Sequence, residues 1–366
     1  MKLECFEVSG TPEEMGCAQG EEFRSRIRVF MEMRFDAVRG YLADWGYEGS
    51  WERILEVGRG SFGLFEAWDP AGHAELVGIA KAADVDAEQL FTITNMTDMR
   101  DAVLLHAPGG PQFQRSDERA NRDEGCSSVL VPASRTKSGQ PIVGQTWDLN
   151  PGDVEYVVAI RRRPADGPQA WSVTCTGCLS LMGHNEEGLA IGTTNLKTYG
   201  SGQGVGYLSI LHRSLRCRTV DEAIQNVETA PHAGAHTYWA GDPHRQVDIE
   251  ASPNGSFMQD TSEGPVWRTN HCLAPEHREL EAEAVGLSTQ ARFLRLRQLL
   301  ANGEHDVDSI KGVFADRTRG VLSINRYAED DQGTATNAVF IASPSERKAW
   351  ACRGPADRGE WIELSF

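Results

Sequence analysis

The feature that most limits what this chain can fold into is a change of texture at about Cys126. Ahead of it, apolar residues recur at helical spacings. Behind it come short runs rich in β-branched residues, separated by Gly, Pro and Asp turns. In the first part, Thr11-Pro12-Glu13-Glu14 reads as a helix start, with Thr11 as cap, Pro12 at the first helical position and Glu14 closing a capping box. Phe23, Ile27, Phe30, Met31, Val38 and Leu42 then form one apolar stripe, which predicts a long amphipathic helix. Further helical patterns run through Ile54 to Phe65 and Glu75 to Ala83.

Strands are predicted around Ser128 to Val131, Pro141 to Trp147, Val157 to Ile160, Trp171 to Thr176 and Gly188 to Thr193. A second capping box, Thr219 to Glu222, opens a helix, and strands resume near His236 to Ala240 and Gln246 to Ala251. A last long helix, about Thr289 to Leu300, precedes closing strands near Ala338 to Ala342 and Lys348 to Cys352. Helices, strands, helices and strands in that order predict an α+β fold of sheets layered with helices. Gly109 to Asn121, polar and charged, is expected to be an exposed loop.

Composition removes several function classes. A chain of 366 residues, 40% hydrophobic and 24% charged, has enough apolar material for a sizeable core. Its formal charge of -17 repels phosphate backbones and anionic membranes, so neither nucleic acid nor membrane is an expected partner. The one basic block, Arg161 to Arg163, reads as the crown of a solvated hairpin turn running into Pro164 and Gly167. Glu4 and Glu7 interrupt the first apolar residues, leaving no run long enough for a signal peptide or a span, and the expected location is the cytoplasm. Eight cysteines spread over this length do not make a disulfide scaffold; most should be buried thiols. Cys175 and Cys178 form a lone C-x-x-C inside the apolar stretch Trp171 to Leu181, with no second pair at metal-site spacing, so no metal and no cofactor is expected.

One cysteine is placed for chemistry. Asp123-Glu124-Gly125-Cys126-Ser127-Ser128 joins the polar loop to the first apolar strand. A glycine leaves its carbonyl open, so the Cys126 thiol can attack it, shift the acyl group from nitrogen to sulfur and let water free the Cys126 amine. That amine can serve as the nucleophile's own base, because an α-amino group titrates at about 7.7 to 8.0. Any buried cysteine at a strand start would read the same from this dipeptide alone.

The rest of the chain resembles the family of acyl-coenzyme A:6-aminopenicillanate acyltransferase, self-processing enzymes of the N-terminal-nucleophile hydrolase fold. The resemblance is carried by Gly10-Thr11-Pro12 with Gly16 and Gly20, Arg122 to Ser128, and Gly144-Gln145-Thr146-Trp147-Asp148. It continues in Gly183-His184-Asn185 with Gly188-Leu189-Ala190, Thr269-Asn270-His271-Cys272, and the helix of Arg292 and Arg295. It implies a four-layer αββα sandwich, with Cys126 at the start of a central strand. It also implies cleavage between Gly125 and Cys126 into residues 1–125, mostly helical, and residues 126–366, the two remaining associated as one folded unit. Asp148 takes the role of the aspartate that orients the cysteine's amine, while Thr146 departs from the family's asparagine.

The family's oxyanion asparagine falls at Thr194-Asn195, with Asn195 the preferred donor. Arg292 matches a family arginine near the site, facing Asp148 or a substrate carboxylate; a solvated helix face is its alternative. His271 is expected to be a hydrogen-bonded core histidine, since a nucleophile carrying its own amine requires no second base. Ser201 to Gly206 lacks the Lys-Ser/Thr of a phosphate loop and reads as a mobile flap beside the pocket.

The function implied is an amidase that cuts an N-acyl amide or small peptide through a thioester at Cys126. The alternative is an acyltransferase that passes the acyl group to an amine or a coenzyme A thiol. A papain-like protease is disfavoured because Gly125-Cys126-Ser127-Ser128 lacks that signature, and a non-catalytic binding protein keeping the fold stands as the reading of another class. Association into a homo-oligomer is left open.

Overall fold

The computed structural model describes residues 1–47, 49–107 and 125–366. The expected Gly109 to Asn121 loop lies outside the described residues, as do Asp123 and Glu124. The chain opens with strand β1 (Glu4–Gly10) and helices α1 (Pro12–Glu22), α2 (Arg24–Asp44), α3 (Trp51–Trp68), α4 (Pro70–Ala83), α5 (Ala87–Thr94) and α6 (Met96–Leu104). Strands β2 (Ser127–Val131), β3 (Ile142–Leu149), β4 (Val157–Pro164), β5 (Ala170–Cys175), β6 (Met182–Asn185) and β7 (Ala190–Leu196) follow. Helices α7 (Tyr207–Ser214) and α8 (Val220–Glu228) lead to β8 (Ala235–Gly241), β9 (Gln246–Ser252), β10 (Gly255–Asp260) and β11 (Val266–Arg268). The chain closes with α9 (Pro275–Glu279), α10 (Leu287–Leu300), α11 (Val307–Phe314), β12 (Ala335–Ser343), β13 (Lys348–Arg353) and β14 (Ile362–Leu364).

The strands form two sheets, ordered β1-β4-β5-β6-β7-β8-β9-β10 and β11-β2-β3-β12-β13-β14. The side-chain period of two sorts their residues between two cores. In the second sheet, Val129, Val131, Val339 and Ile341 pack with Leu296 and Leu300 of α10 and Ile310 and Phe314 of α11. Their neighbours Leu130, Ala338 and Phe340 belong to the larger core that includes the first sheet. In the first sheet, Trp239 meets Phe340 with ring centroids 6.5 Å apart, whereas the adjacent Tyr238 lies against His232, on the side of α7 and α8. Helices therefore cover the outer face of each sheet, and each fully buried Val, Leu or Phe contributes about 1.5–3 kcal/mol.

The capping box at Thr11 is present: the Glu14 N–H donates to the Thr11 hydroxyl at 3.4 Å, and the Glu14 carboxylate accepts from the Thr11 N–H at 2.8 Å. The single long helix expected behind it runs as two, broken at Phe23. Packing accounts for the break. Helix α1 lies so close to α4 that a Cβ on Gly16 would stand 2.0 Å from the Glu75 carbonyl oxygen. Helix α2 takes its apolar stripe to α5 and α6 as well.

Two expectations are corrected. Arg162 is buried rather than solvated: β4 runs on to Pro164, and the middle arginine of the block meets Glu75 at 2.6 Å and the Ser172 hydroxyl at 2.7 Å. A buried guanidinium needs such partners, and only the fold could bring Glu75 to it. The glycine-rich run at 201–206 is tied down rather than flap-like. The Gly202 N–H donates to the Ala233 carbonyl at 2.9 Å, the Gly204 N–H to the Ser61 hydroxyl at 3.2 Å and the Val205 N–H to the Pro231 carbonyl at 2.7 Å. Among the described residues, no helix is long and apolar enough to cross a membrane.

Candidate active site

Cys126 directly precedes β2, whose register sets Ser127 opposite Thr146 and so brings Cys126 beside Asp148 at the end of β3. The Asp148 N–H donates to Cys126 Sγ at 3.4 Å, and the thiol lies 3.7 Å from the Asp148 carbonyl oxygen. Among the described residues Sγ has no other hydrogen-bond partner, and no histidine or lysine side chain bonds to it. Thr146 ties the two strands together: its hydroxyl accepts from the Ser127 N–H at 3.1 Å and donates to Asp148 Oδ2 at 3.3 Å. Strand β12 sets Thr336 opposite Asp148, where the pairing shifts register before Ala338, and the Thr336 hydroxyl also bonds the carboxylate.

The electrostatics of this pair follow from burial. Cys126 is 6% exposed and Asp148 1%. Burial, with the neighbouring Asp148 carboxylate, pushes the Cys126 thiol up to about 12, against the Asp148 N–H and the cations Arg292 and Arg326. Burial likewise raises the Asp148 carboxyl to about 6, opposed first by Arg326 and the Thr336 hydroxyl, then by Arg292 and Thr146. At neutral pH the thiol of the unbroken chain is protonated and needs a base to become a nucleophile.

Two arginines flank Cys126, one bonded to its carbonyl and one packed beside Gly125. Arg292 lies on the stripe of α10 that also carries Leu296 and Leu300, all three buried against the second sheet. It donates to the Cys126 carbonyl oxygen at 2.6 Å, to the Ser127 hydroxyl at 3.0 Å and to Asn270 Oδ1 at 3.0 Å. The solvated reading of this helix face is thereby corrected. The side chain that the resemblance set against Asp148 or a substrate carboxylate bonds the Cys126 backbone. On the other side, a Cβ on Gly125 would stand 2.3 Å from a guanidinium nitrogen of Arg326. Arg326 is fully buried and pinned by Thr334, by Ser288 at 3.1 Å and by Gln332 at 2.9 Å, so it has nowhere to retreat.

A small cavity of about 20 Å³ beside the thiol is lined by Cys126, Trp147, Asp148, Leu149, Leu181, Thr193 and Asn195, with Thr97, Tyr207 and His236. Asn195 and Thr194, the two oxyanion candidates, separate here. Alternation along β7 puts Thr193 and Asn195 on the cavity, while the Thr194 hydroxyl turns to the Thr237 hydroxyl at 2.9 Å and the Thr269 carbonyl at 3.1 Å. Asn270 links the groups: its Nδ2 donates to the Asn195 carbonyl at 3.0 Å while its Oδ1 accepts from Arg292. His271 is absent from the cavity lining. Its Nδ1 lies 3.0 Å from the Thr289 hydroxyl, and burial lowers it to about 4, which leaves it neutral near pH 7.

Sequence reading missed Asn270 as a contact, although it stands next to His271 in a quoted motif. Arg326 and Thr336 carried no signal at all, because each is an isolated polar residue until the closing strand folds back beside β3.

A family model described as "Acyl-coenzyme A:6-aminopenicillanic acid acyl-transferase" matches residues 134–358, a span that takes in Asp148, Asn195, Asn270 and Arg292 and begins after Cys126. No curated protein matches the chain in sequence. Among solved structures, a mutant conjugated bile acid hydrolase from Clostridium perfringens is similar at 12% identity and a TM-score of 0.44, over 66% of this chain and 92% of that one. Penicillin V acylase from Agrobacterium tumefaciens is similar at 12% identity and a TM-score of 0.40, over 65% of this chain and 86% of that one.

Proposed function

The chain belongs to the acyl-coenzyme A:6-aminopenicillanic acid acyl-transferase family, and from that premise we propose a self-processing amidase whose nucleophile is Cys126. The observation that carries the reading is the pair of arginines about Cys126: Arg292 donates to the Cys126 carbonyl at 2.6 Å, and Arg326 stands close beside Gly125. A structural thiol requires neither.

In processing, Sγ attacks the Gly125 carbonyl carbon, the C–N bond breaks and the Cys126 nitrogen takes a proton. Water then hydrolyses the thioester, leaving a Gly125 carboxylate, a free thiol and a free Cys126 amine. In turnover, that amine, of a class that ordinarily titrates at about 7.7 to 8.0, takes the thiol's proton, and the thiolate attacks the substrate carbonyl. Asn195 supplies a hydrogen bond to the developing oxyanion, and Asp148 orients the amine. The leaving amine departs with a proton, and water resolves the acyl-enzyme. The substrate class is an N-acyl amide or small peptide, and residues 1–125 and 126–366 remain associated. Acyl transfer is the second reading, favoured by the family match; an added amine or coenzyme A thiol would then outcompete water for the thioester.

Intact-mass measurement of purified protein tests the proposal: two fragments, the larger beginning at Cys126, are expected from wild type and one unbroken chain from Cys126→Ala, which should also lack turnover. A wild-type chain still whole under denaturing conditions after prolonged incubation would remove self-processing. A Cys126→Ala chain that hydrolysed substrate at the wild-type rate would make Cys126 a structural thiol.

A further inference from the structure

The cavity beside Cys126 measures about 20 Å³, too small for a carbon chain but large enough for one water, which needs roughly 10–15 Å³. On its wall, Thr97 Oγ1, Asp148 Oδ1 and His236 Nδ1 are buried with no hydrogen-bond partner among the described residues. Asp148 has a use, since the amidase reading sets it against the Cys126 amine. Thr97 and His236, 4% and 2% exposed, have none in that reading. A buried polar atom without a partner costs about 1–3 kcal/mol, and two of them on one water-sized cavity call for a single explanation.

The ring's surroundings fix which of its nitrogens can accept. His236 Nε2 lies 2.7 Å from Asp98 Oδ1, and the ring stacks on Tyr207 with centroids 4.7 Å apart at 20°. A carboxylate oxygen only accepts, so Nε2 carries the ring proton and Nδ1 keeps its lone pair. Asp98 is held in turn, because its Oδ2 accepts the Tyr207 N–H at 2.7 Å. The wall therefore offers an acceptor at Nδ1 and a hydroxyl at Thr97, the kind of partners that fix one water in one orientation. His236 is also the cross-strand partner of Asn195, so that water stands next to the oxyanion donor.

Resting on the self-processing amidase reading, we propose that His236, its tautomer set by Asp98, is the positioning residue for the hydrolytic water, held between Nδ1 and the Thr97 hydroxyl. In processing, the water oxygen bonds to the Gly125 carbonyl carbon of the thioester and the C–S bond breaks. One water proton passes by way of the Cys126 amine to the departing sulfur. The other, hydrogen-bonded to Nδ1 until the attack, leaves to solvent from the new Gly125 carboxyl group. The same water resolves the acyl-enzyme in turnover, so the built-in nucleophile is water, and hydrolysis prevails over transfer to an amine or thiol from solution.

Asp98→Asn tests this while keeping the shape. The Oδ2 position must still accept the Tyr207 N–H, so the new NH2 group faces His236, Nε2 must accept from it, and the ring proton moves to Nδ1, where the water then meets a donor in place of an acceptor. On a denaturing-gel time course of freshly translated protein, Asp98→Asn and His236→Val should each slow self-cleavage by about 10²-fold, the loss for a displaced reactant. Neutral hydroxylamine attacks a thioester without that water, so it should restore cleavage in both, leaving a hydroxamate at Gly125 in the mass spectrum. A merely structural role would not give this rescue. Asp98→Asn decides the matter should His236→Val fail to fold. A folded variant that cleaves at the wild-type rate, or a slow one that hydroxylamine does not restore, overturns the proposal and leaves self-processing standing. If wild type stays whole even in hydroxylamine, the self-processing reading falls, and the water site is judged by itself in a high-resolution crystal structure of Cys126→Ala protein. An ordered water within hydrogen-bond reach of His236 Nδ1 and Thr97 Oγ1 is expected there, and a dry cavity overturns the site.

Discussion

Replacing Asp148 by asparagine should make the protein more stable and leave it inactive. The carboxyl is 1% exposed and raised from 3.8 to about 6, mainly by burial, so its ionised form is disfavoured in the folded state despite Arg326, Arg292 and two hydroxyls. The folded chain then binds more protons than the unfolded chain between those two values, and stability falls as pH rises through that window and levels off above it. At pH 7.5 the cost amounts to roughly 3 kcal/mol, and at pH 5 to about half of that. Asparagine keeps the shape and carries no such cost. The comparison belongs in a Cys126→Ala background, so that self-cleavage does not separate the two chains being compared. Denaturant unfolding of Cys126→Ala with and without Asp148→Asn, at both pH values, should give the asparagine chain a clear advantage at pH 7.5 that shrinks at pH 5. In the Cys126-containing chain, Asp148→Asn should stop turnover, because the amine loses the carboxylate that orients it. An asparagine chain no more stable than its parent at pH 7.5 would show that the two arginines more than offset burial, and the reasoning about this carboxyl would be wrong.

Asn195→Ala should lower turnover by roughly 10²–10³ with little change in KM, the usual loss for one oxyanion donor, in steady-state kinetics. Thr194→Val, which removes a buried hydroxyl pair on the opposite face of the same strand, should instead cost about 1 kcal/mol in denaturant unfolding and leave kcat near wild type. Gly125→Ala should slow self-cleavage strongly on a denaturing gel time course, since the added methyl meets a pinned Arg326 rather than a side chain able to move. Arg292→Met should destabilise the fold by about 3 kcal/mol or more, read by unfolding, because it strips partners from the Cys126 carbonyl, the Ser127 hydroxyl and Asn270 together in a buried place.

Local chemistry made much of the architecture readable. The capping residue Thr11, the apolar stripe of α2, and the β-branched runs that became β2, β3, β4, β5, β7, β8 and β9 are all set by neighbours a few positions away, which is the range over which propensity and periodicity act. Cys126, Asp148 and Asn195 were also legible, through ordered motifs, and the fold brings them to one cavity. Distance in the chain hid the rest. Sequence alone left Asn195 and Thr194 as alternatives, and the strand alternation with the cross-strand partners of β8 separated them. It offered Arg292 a carboxylate or solvent, and the packing of α10 on the second sheet gave it the Cys126 carbonyl. Arg326, Thr336 and the Asp98–His236 pair were invisible, because a polar side chain announces a role only when burial deprives it of water, and burial is decided by which elements pack together. The break at Phe23 and the buried Arg162 have the same origin: helix α1 must lie flat on α4, where Glu75 waits for a cation that the linear sequence places 87 residues away.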